Sequence, residues 1–385
     1  MKSKFKKMDL LLLITSFVLI VIGVVAIYSA SSVLTVLSQG VESNYYLKKQ
    51  VIIVLIACVL SFIFLFRFKL YKRKTIIYVS LAFIFVALLG LQFYGNTVNG
   101  SLSWYDLGFF SFQPSEFAKT ALILFMACYF EFLNNKKESR WYLYLVPLAI
   151  SLVMAFIIFR QPDLGGTIII ILISFLTFIS VPMNKFVKRK CLLLLFGIFC
   201  VALAFIPILG SKLISDYQLK RFNFWAPCTR YTESTGYQVC NGFIAIKNGG
   251  LTGVGFGNST QKYLYLPEAH TDFIFPIICE ELGMIGGIIV LIIYILLLFS
   301  VLRIAMNAHR VSDSIIAYGT FIYLAVHIII NLFGVLALMP LTGVPLPLLS
   351  YGGSFNINVI VLLFICQRIA VDSKNLKIKE QIKKL

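Results

Sequence analysis

LLLLITSFVLIVIGVVAI, from Leu10 to Ile27, runs for eighteen residues without a charge. A membrane-spanning helix needs ~20 mostly apolar residues, with ~17 the lower limit. Ile52–Phe66, Ile76–Leu91 and Gly286–Val301 repeat the pattern along the chain. Across its 385 residues the chain is 59% hydrophobic and only 13% charged, where a soluble domain carries roughly a quarter; mean hydropathy is +0.91. The sequence therefore predicts an all-α polytopic integral membrane protein, a single membrane domain over 1–385 with about ten transmembrane helices. The expected spans are roughly 9–31, 50–66, 76–93, 114–133, 142–160, 164–183, 191–213, 271–302, 313–338 and 353–371. No internal repeat is visible, which weighs against a secondary transporter built from inverted repeats.

The formal charge of +18 raises the question of nucleic acid, and its placement answers it. Lys2–Lys7, Arg67–Lys74, Lys136–Arg140, Lys185–Lys190, Arg303, Arg310 and the stretch from Arg368 to Lys384 hold 24 of the 34 Lys and Arg. With ten spans and a cytoplasmic N-terminus, all of them fall on the cytoplasmic side, as the positive-inside rule requires. The basic tail, about 372–385, then lies near anionic headgroups, and no nucleic acid is expected. MKSKFKK followed by an apolar run imitates a signal peptide, but the run exceeds the ~7–15 residues of a signal core, so it reads as an uncleaved first helix.

The outward segments are uneven. The longest, about 211–270 between the seventh and eighth spans, carries apolar clusters at Phe222–Trp225 and Phe243–Ile246, broken by Gly249-Gly250 and Gly253–Gly257. Long segments with apolar content usually pack onto the protein and carry function; this one is expected to lie partly in the interface as short amphipathic helices. Its Cys228 and Cys240 sit where a disulfide persists and are a candidate pair. No Cys/His metal spacing appears. Gly253-Val-Gly-Phe-Gly257 imitates a nucleotide fingerprint but lacks the strand–helix unit that gives such a motif meaning.

Ionisable groups gather at three outward edges. Arg160-Gln-Pro-Asp163 turns between two spans; Pro162 reads as a turn residue, while Arg160 and Asp163 face the other polar loops. Gln113-Pro-Ser-Glu-Phe-Ala-Lys119 opens the fourth span. Pro114, Ser115 and Glu116 suit a helix start, but Lys119 lies one turn inside an apolar helix with Glu116 at i−3 as its nearest partner, a functional-site signature. Leu266-Pro-Glu-Ala-His-Thr-Asp272 brings Glu268, His270 and Asp272 to a membrane boundary, although Thr271 or Asp272 could simply cap the helix. Glu280 and Glu281 follow, Glu280 ~12 Å deeper along the helix, which implies a polar, water-accessible cavity. Gly283 and Gly287 read as a helix-packing pair. Pro340–Pro347 with Ser350-Tyr-Gly-Gly-Ser354 forms a re-entrant-looking turn.

Together FQPSEFAK, RQPDLGGT, YQLKRFNFW, GVGFGNSTQKYLYLPEAHTDFIF, EELG and PLTGVPLPLLSYGGS resemble the SEDS family (shape, elongation, division and sporulation), in family order from about Gly100 onward. The wording GNSTQK…LPEAHTDFIF is more similar to the division branch than to the elongation branch, and a sporulation paralogue of the division member would look much the same. The resemblance implies a peptidoglycan glycosyltransferase that polymerises lipid II into glycan strands outside the bacterial plasma membrane during septal synthesis. It implies a class B penicillin-binding protein as transpeptidase partner, together with other divisome membrane proteins. It places the family's catalytic aspartate on Asp272, its cavity pair on Glu116 and Lys119, and its outward tryptophan on Trp104. Three positions depart from the family pattern: no Arg precedes Trp104, His327 stands where Gln is common, and Ser354-Phe355 replaces a Ser pair.

These residues suit that reaction. A glycosidase needs a second carboxyl to protonate a poor leaving group; a diphosphate needs only its charge neutralised. Asp272 fits the base. Lys119, Arg160 or a divalent cation such as Mg2+ or Mn2+ could hold the diphosphate, and the residues demand no other cofactor. A lipid II flippase and a noncatalytic scaffold for a penicillin-binding protein are the alternatives. The ionisable groups concentrate in the outer half, which favours surface chemistry over translocation.

Overall fold

The computed structural model describes residues 7–98, 101–108, 111–138, 140–197, 224–232, 234–263 and 265–384. Leu10–Gln39 (α1) is a helix started by the Asp9 carboxylate, which accepts from Leu12 N at 3.0 Å. Tyr45–Leu60 (α2) continues as a π-helical stretch to Arg67, and Lys74–Tyr94 (α3) follows. Pro114–Asn135 (α4), Val146–Phe159 (α5) and Leu164–Ser180 (α6) are next. Ser234–Gly249 (α7) lies in the long loop, ahead of Ile274–Asn307 (α8), Val311–Val335 (α9) and Gly353–Lys384 (α10). Among the described residues, seven helices are long and apolar enough to cross a bilayer. Leu164–Ser180 is a shorter apolar helix, and Pro114–Asn135 carries three charges, Glu116, Lys119 and Glu131. Each expected span has its helix except the seventh, of which residues 191–197 are helical, in a helix that starts at 185, while 198–213 lie outside the described residues.

Burial separates centre from periphery. In α9 and α10, 72% and 83% of the apolar window is buried, against 22% in α2 and α3. The peripheral helices show Phe17, Ile52, Val79, Phe83 and Val86 outward. Such side chains are at home only against lipid, because a closed helix satisfies its own backbone and needs no water. The chain is a multi-pass membrane protein.

The basic segments meet at one end. Lys7 binds Asn375 (2.7 Å), Asp9 exchanges two hydrogen bonds with Gln367, Arg303 pairs with Asp9 (2.6 Å), and Lys69 and Lys72 share Asp372 (2.8 and 3.2 Å). Residues 7–9 and 367–375 therefore meet on the same face. At the opposite end, segment 94–113 is more than a short loop. Asn96–Val98, Ser101–Asp106 and Ser111–Phe112 form a three-stranded antiparallel sheet, β1-β2-β3, with Thr97 opposite Leu102 and Tyr105 opposite Phe112. Thr, Val, Trp, Tyr and Phe suit a pleated surface, but strands this short give too weak a period to stand out from a loop.

The long loop is anchored twice. Cys228 and Cys240 are bridged (Cα–Cα 4.9 Å), tying the turn Pro227–Arg230 to α7. Its glycine-rich part then enters α8, which is broken at Gly283 (φ 71°, ψ −178°). The break frees helix carbonyls and amides, and the loop replaces the lost partners. Val254 and Gly255 donate to the Glu280 and Glu281 carbonyls (both 3.0 Å), while Met284 and Ile285 donate to Gly250 and Leu251 (2.9 and 3.2 Å). A Cβ on Gly283 would lie 2.2 Å from the Leu251 carbonyl oxygen, so only glycine admits the loop. Gly283 thus serves a break in its helix rather than the helix-packing pair expected with Gly287. The helix-packing reading failed because a spacing of four cannot report a reversed φ.

Candidate active site

Asp272 occupies the last turn before α8, 7% exposed. Its backbone carbonyl accepts from Asn331 Nδ2 (2.8 Å), and the same amide also donates to the Val344 carbonyl (2.7 Å). One α9 side chain therefore joins Asp272 to the re-entrant turn 339–352. Thr271 Oγ1 donates to Asp272 Oδ1 (3.3 Å) and to Glu268 Oε2 (2.6 Å). On the other side, a Cβ on Gly343 (φ 70°) would find Asp272 Oδ2 first, at 3.7 Å. The Arg160–Asp163 hairpin reaches the same turn through α6, since a Cβ on Gly165 would lie 3.1 Å from Val344 and 3.2 Å from the Thr342 carbonyl. Three of the sequence motifs thus converge on one rim.

His270 sits between two rings, 4.6 Å from Tyr46 and 5.7 Å from Tyr351, with Tyr46 and Tyr351 themselves 4.8 Å apart. Tyr351 N donates to the His270 carbonyl (2.9 Å). Burial holds the imidazole below its usual pKa, with Glu268 pulling the other way, and pushes the Tyr351 phenol up to about 12. Both groups are neutral at physiological pH, giving an aromatic wall beside a carboxylate.

Below the rim lies the second half of the constellation. Lys119, 1% exposed, donates to Glu116 Oε1 (2.7 Å) and faces His327 Nε2 (3.3 Å), and Tyr323 OH donates to Glu116 Oε2 (3.2 Å). His327 Nδ1 lies 2.7 Å from the Tyr323 carbonyl. A carbonyl can only accept, so Nδ1 carries the hydrogen and Nε2 presents its lone pair to the ammonium. Tyr323, His327 and Asn331 are four apart on α9, so each lies ~6 Å along the helix from the next. This stripe connects the Glu116–Lys119 pair to the backbone of Asp272. Lys119 thus commits two of its three donors to Glu116 and His327, while Arg160 is exposed.

Other expected site residues have different surroundings. Glu280 is fully buried, and its carboxylate accepts from Ser259 Oγ (2.5 Å), Thr260 Oγ1 (2.9 Å), Thr260 N (3.2 Å) and Asn248 Nδ2 (3.3 Å). Glu281 accepts from Ser29 Oγ (2.5 Å) and Lys262 (3.4 Å). The two acids expected to line a wet cavity are solvated by protein donors of the loop instead. Ser350 is likewise internal: its hydroxyl accepts from Leu346 N (2.8 Å) and closes the re-entrant turn. Asp163 Oδ1 caps α6 by accepting from Gly166 N (2.7 Å). Trp104 is half-buried in β2 opposite Asn96. Gln161, unremarked in the sequence, is buried and binds the Leu88 carbonyl (2.8 Å), while its own carbonyl accepts from Leu102 N (3.2 Å). Among the described residues no group of three or more His, Cys, Asp or Glu is placed to hold a metal ion.

Comparison with known proteins places the chain in a family. The family model described as cell cycle protein, covering FtsW, RodA and SpoVE, matches residues 9–375. A probable peptidoglycan glycosyltransferase FtsW from Dichelobacter nodosus is 33% identical over 372 residues, spanning 95% of this chain and 91% of that protein. Stage V sporulation protein E of Bacillus subtilis is 33% identical, spanning 92% and 94%. A solved chain described under structural coordination of polymerization and crosslinking by a peptidoglycan synthase complex superposes with TM-score 0.73 at 25% identity, covering 95% of this chain and 98% of that one.

Proposed function

Because the chain belongs to the FtsW/RodA/SpoVE cell-cycle family of SEDS proteins, we propose that it is a peptidoglycan glycosyltransferase that polymerises lipid II, with Asp272 as general base. The observation that carries this reading is the meeting of the 266–272 and 342–351 segments at Asp272, with 160–166 packed on the same 342–344 turn, above the buried Glu116–Lys119–His327 cluster. In the reaction the 4-hydroxyl of one sugar gives its proton to the Asp272 carboxylate. Its oxygen bonds to the anomeric carbon of the second sugar, and the bond from that carbon to the diphosphate breaks. Tyr46, His270 and Tyr351 give the sugars an apolar wall that orients them, and orientation supplies much of the rate in group transfer. Lys119 positions α4 against α9 beneath the rim. A divalent cation such as Mg2+ or Mn2+ would supply counter-charge to the diphosphate; it would need only one or two carboxylates besides phosphate oxygens, and Glu268 would hold it.

The end that carries the basic clusters faces the cytoplasm and the rim faces outward. The Cys228–Cys240 bridge supports this, since disulfides persist in oxidising compartments. The protein works at the division septum beside a class B penicillin-binding transpeptidase and other divisome membrane proteins, a partnership in keeping with the polymerising and cross-linking complex named above.

The test uses purified protein and labelled lipid II, with and without the transpeptidase. Asp272→Asn keeps size and backbone contacts, so thermal stability should hold while polymer falls by about 10²–10⁴, the range for general-base assistance. Near-normal polymer from the variant would remove Asp272 from the chemistry and favour a flippase or a scaffold. In intact cells, a Lys188→Cys probe labelled from outside would overturn the orientation.

A further inference from the structure

At the face where residues 7–9 and 367–375 meet, α1, α8 and α10 leave a recess of about 310 Å3. We infer that it binds the phosphate of an anionic lipid headgroup. Its rim carries Arg303, Lys374 and Lys377, and its acid is Asp9. Asp9 is already committed: one oxygen caps α1 at Leu12 N and the other pairs with Arg303 at 2.6 Å. Lys374 and Lys377 reach neutral acceptors at longer range, the Met8 carbonyl (3.2 Å) and Asn307 Oδ1 (3.4 Å). Three cations face one carboxylate, so the recess holds a net positive charge, and each ammonium has three donors. Ser373 also lines it; the residue is buried and its hydroxyl has no hydrogen-bond partner. A buried hydroxyl without a partner is a liability that a phosphate oxygen removes.

The surroundings select a lipid over a soluble ion. Ile304 and Ala370 make part of the lining apolar. Phe299, Met306 and Ile378 are exposed beside it, with the Arg303 guanidinium 5.9 Å from the Phe299 ring centre. An acyl chain can lie along that strip while its headgroup enters between the two lysines and the serine. Basic pockets between spanning helices are a known mode of headgroup recognition. This site lies at the opposite end from Asp272 and does not depend on the reading of the reaction.

The experiment is native mass spectrometry of the full chain in detergent, titrated with phosphatidylglycerol, phosphatidylcholine or inorganic phosphate. Wild type should retain phosphatidylglycerol in preference to phosphatidylcholine. Lys374→Gln/Lys377→Gln should weaken phosphatidylglycerol binding about 30-fold, at about 1 kcal/mol per basic residue. Both lysines are exposed, so the variant should fold normally. Lys136→Gln/Lys137→Gln removes the same charge elsewhere and should change binding less than about twofold, because a dispersed surface charge contributes little to a specific contact. Equal loss from both pairs, equal retention of phosphatidylcholine, or displacement by an equal concentration of phosphate would each overturn the proposal.

Discussion

Two lysine–carboxylate clusters lie buried in this membrane protein, and they are built differently. Glu116 and Lys119 are one turn apart on a single helix and close against α9, so their geometry follows from helical spacing. Glu280 finds its partners because residues 248–260 fold back onto a broken helix, and Glu281 is shared between Lys262 of that segment and Ser29 of α1. The first cluster sits beneath the Asp272 rim; the second fixes a loop. The contrast teaches that an acid inside a span does not by itself announce chemistry. What it touches decides, and a carboxylate surrounded by loop hydroxyls and amides is an anchor.

Breaking the first cluster should give the largest effect. Lys119→Met leaves Glu116 buried without its cation and should cost about 3–5 kcal/mol, whereas Glu116→Leu/Lys119→Met should recover most of that, since apolar replacement of a buried pair is often neutral. Thermal unfolding and polymer yield are read together. Stability restored without polymer assigns the pair to the site; recovery of both would make it an anchor like its counterpart. Next in size, Glu280→Gln removes a charged acceptor and should cost about 1.5–3 kcal/mol. Proteolysis should rise first within residues 248–262, and unchanged cleavage there would refute the anchoring role. The smallest effect is pH-dependent. Burial holds His270 below its unfolded value of 6.5, so the unfolded chain takes up a proton that the native state refuses. Stability is therefore present above pH ~6.5 and falls as pH drops through it, by at most ~1.4 kcal/mol per pH unit. His270→Gln should flatten that slope, and an unchanged slope would remove His270 as its source.

The spans were legible because long apolar runs leave few alternatives, and the rim was legible where titratable residues stood in short outward segments. Three features were not. The sheet at 96–112 is too short to show alternation. Gln161 is a neutral residue whose importance lies in carbonyls far away in sequence, those of Leu88 and its own toward Leu102. The Tyr323–His327–Asn331 stripe could have been found as a period of four in an apolar helix, yet His327 drew notice only as a departure from a family pattern. Glu280 was misread because depth in a helix says nothing of a loop that comes to meet it. The seventh span, over 198–213, lies outside the described residues.

The break at Gly283 makes a joint of what would otherwise be one rod. Residues 274–282 form a short strut that begins beside Asp272, and four backbone hydrogen bonds couple the joint to residues 250–255. Pulling that coupling apart strips four backbone pairs, at about 0.5–1.5 kcal/mol net each. The loop therefore holds both sides of the joint, with two hydrogen bonds to carbonyls of the strut and two from Met284 and Ile285 beyond it. Because the strut starts beside Asp272 and the loop grips both sides of its joint, Gly283 ties the placement of the outward loop to that of the carboxylate.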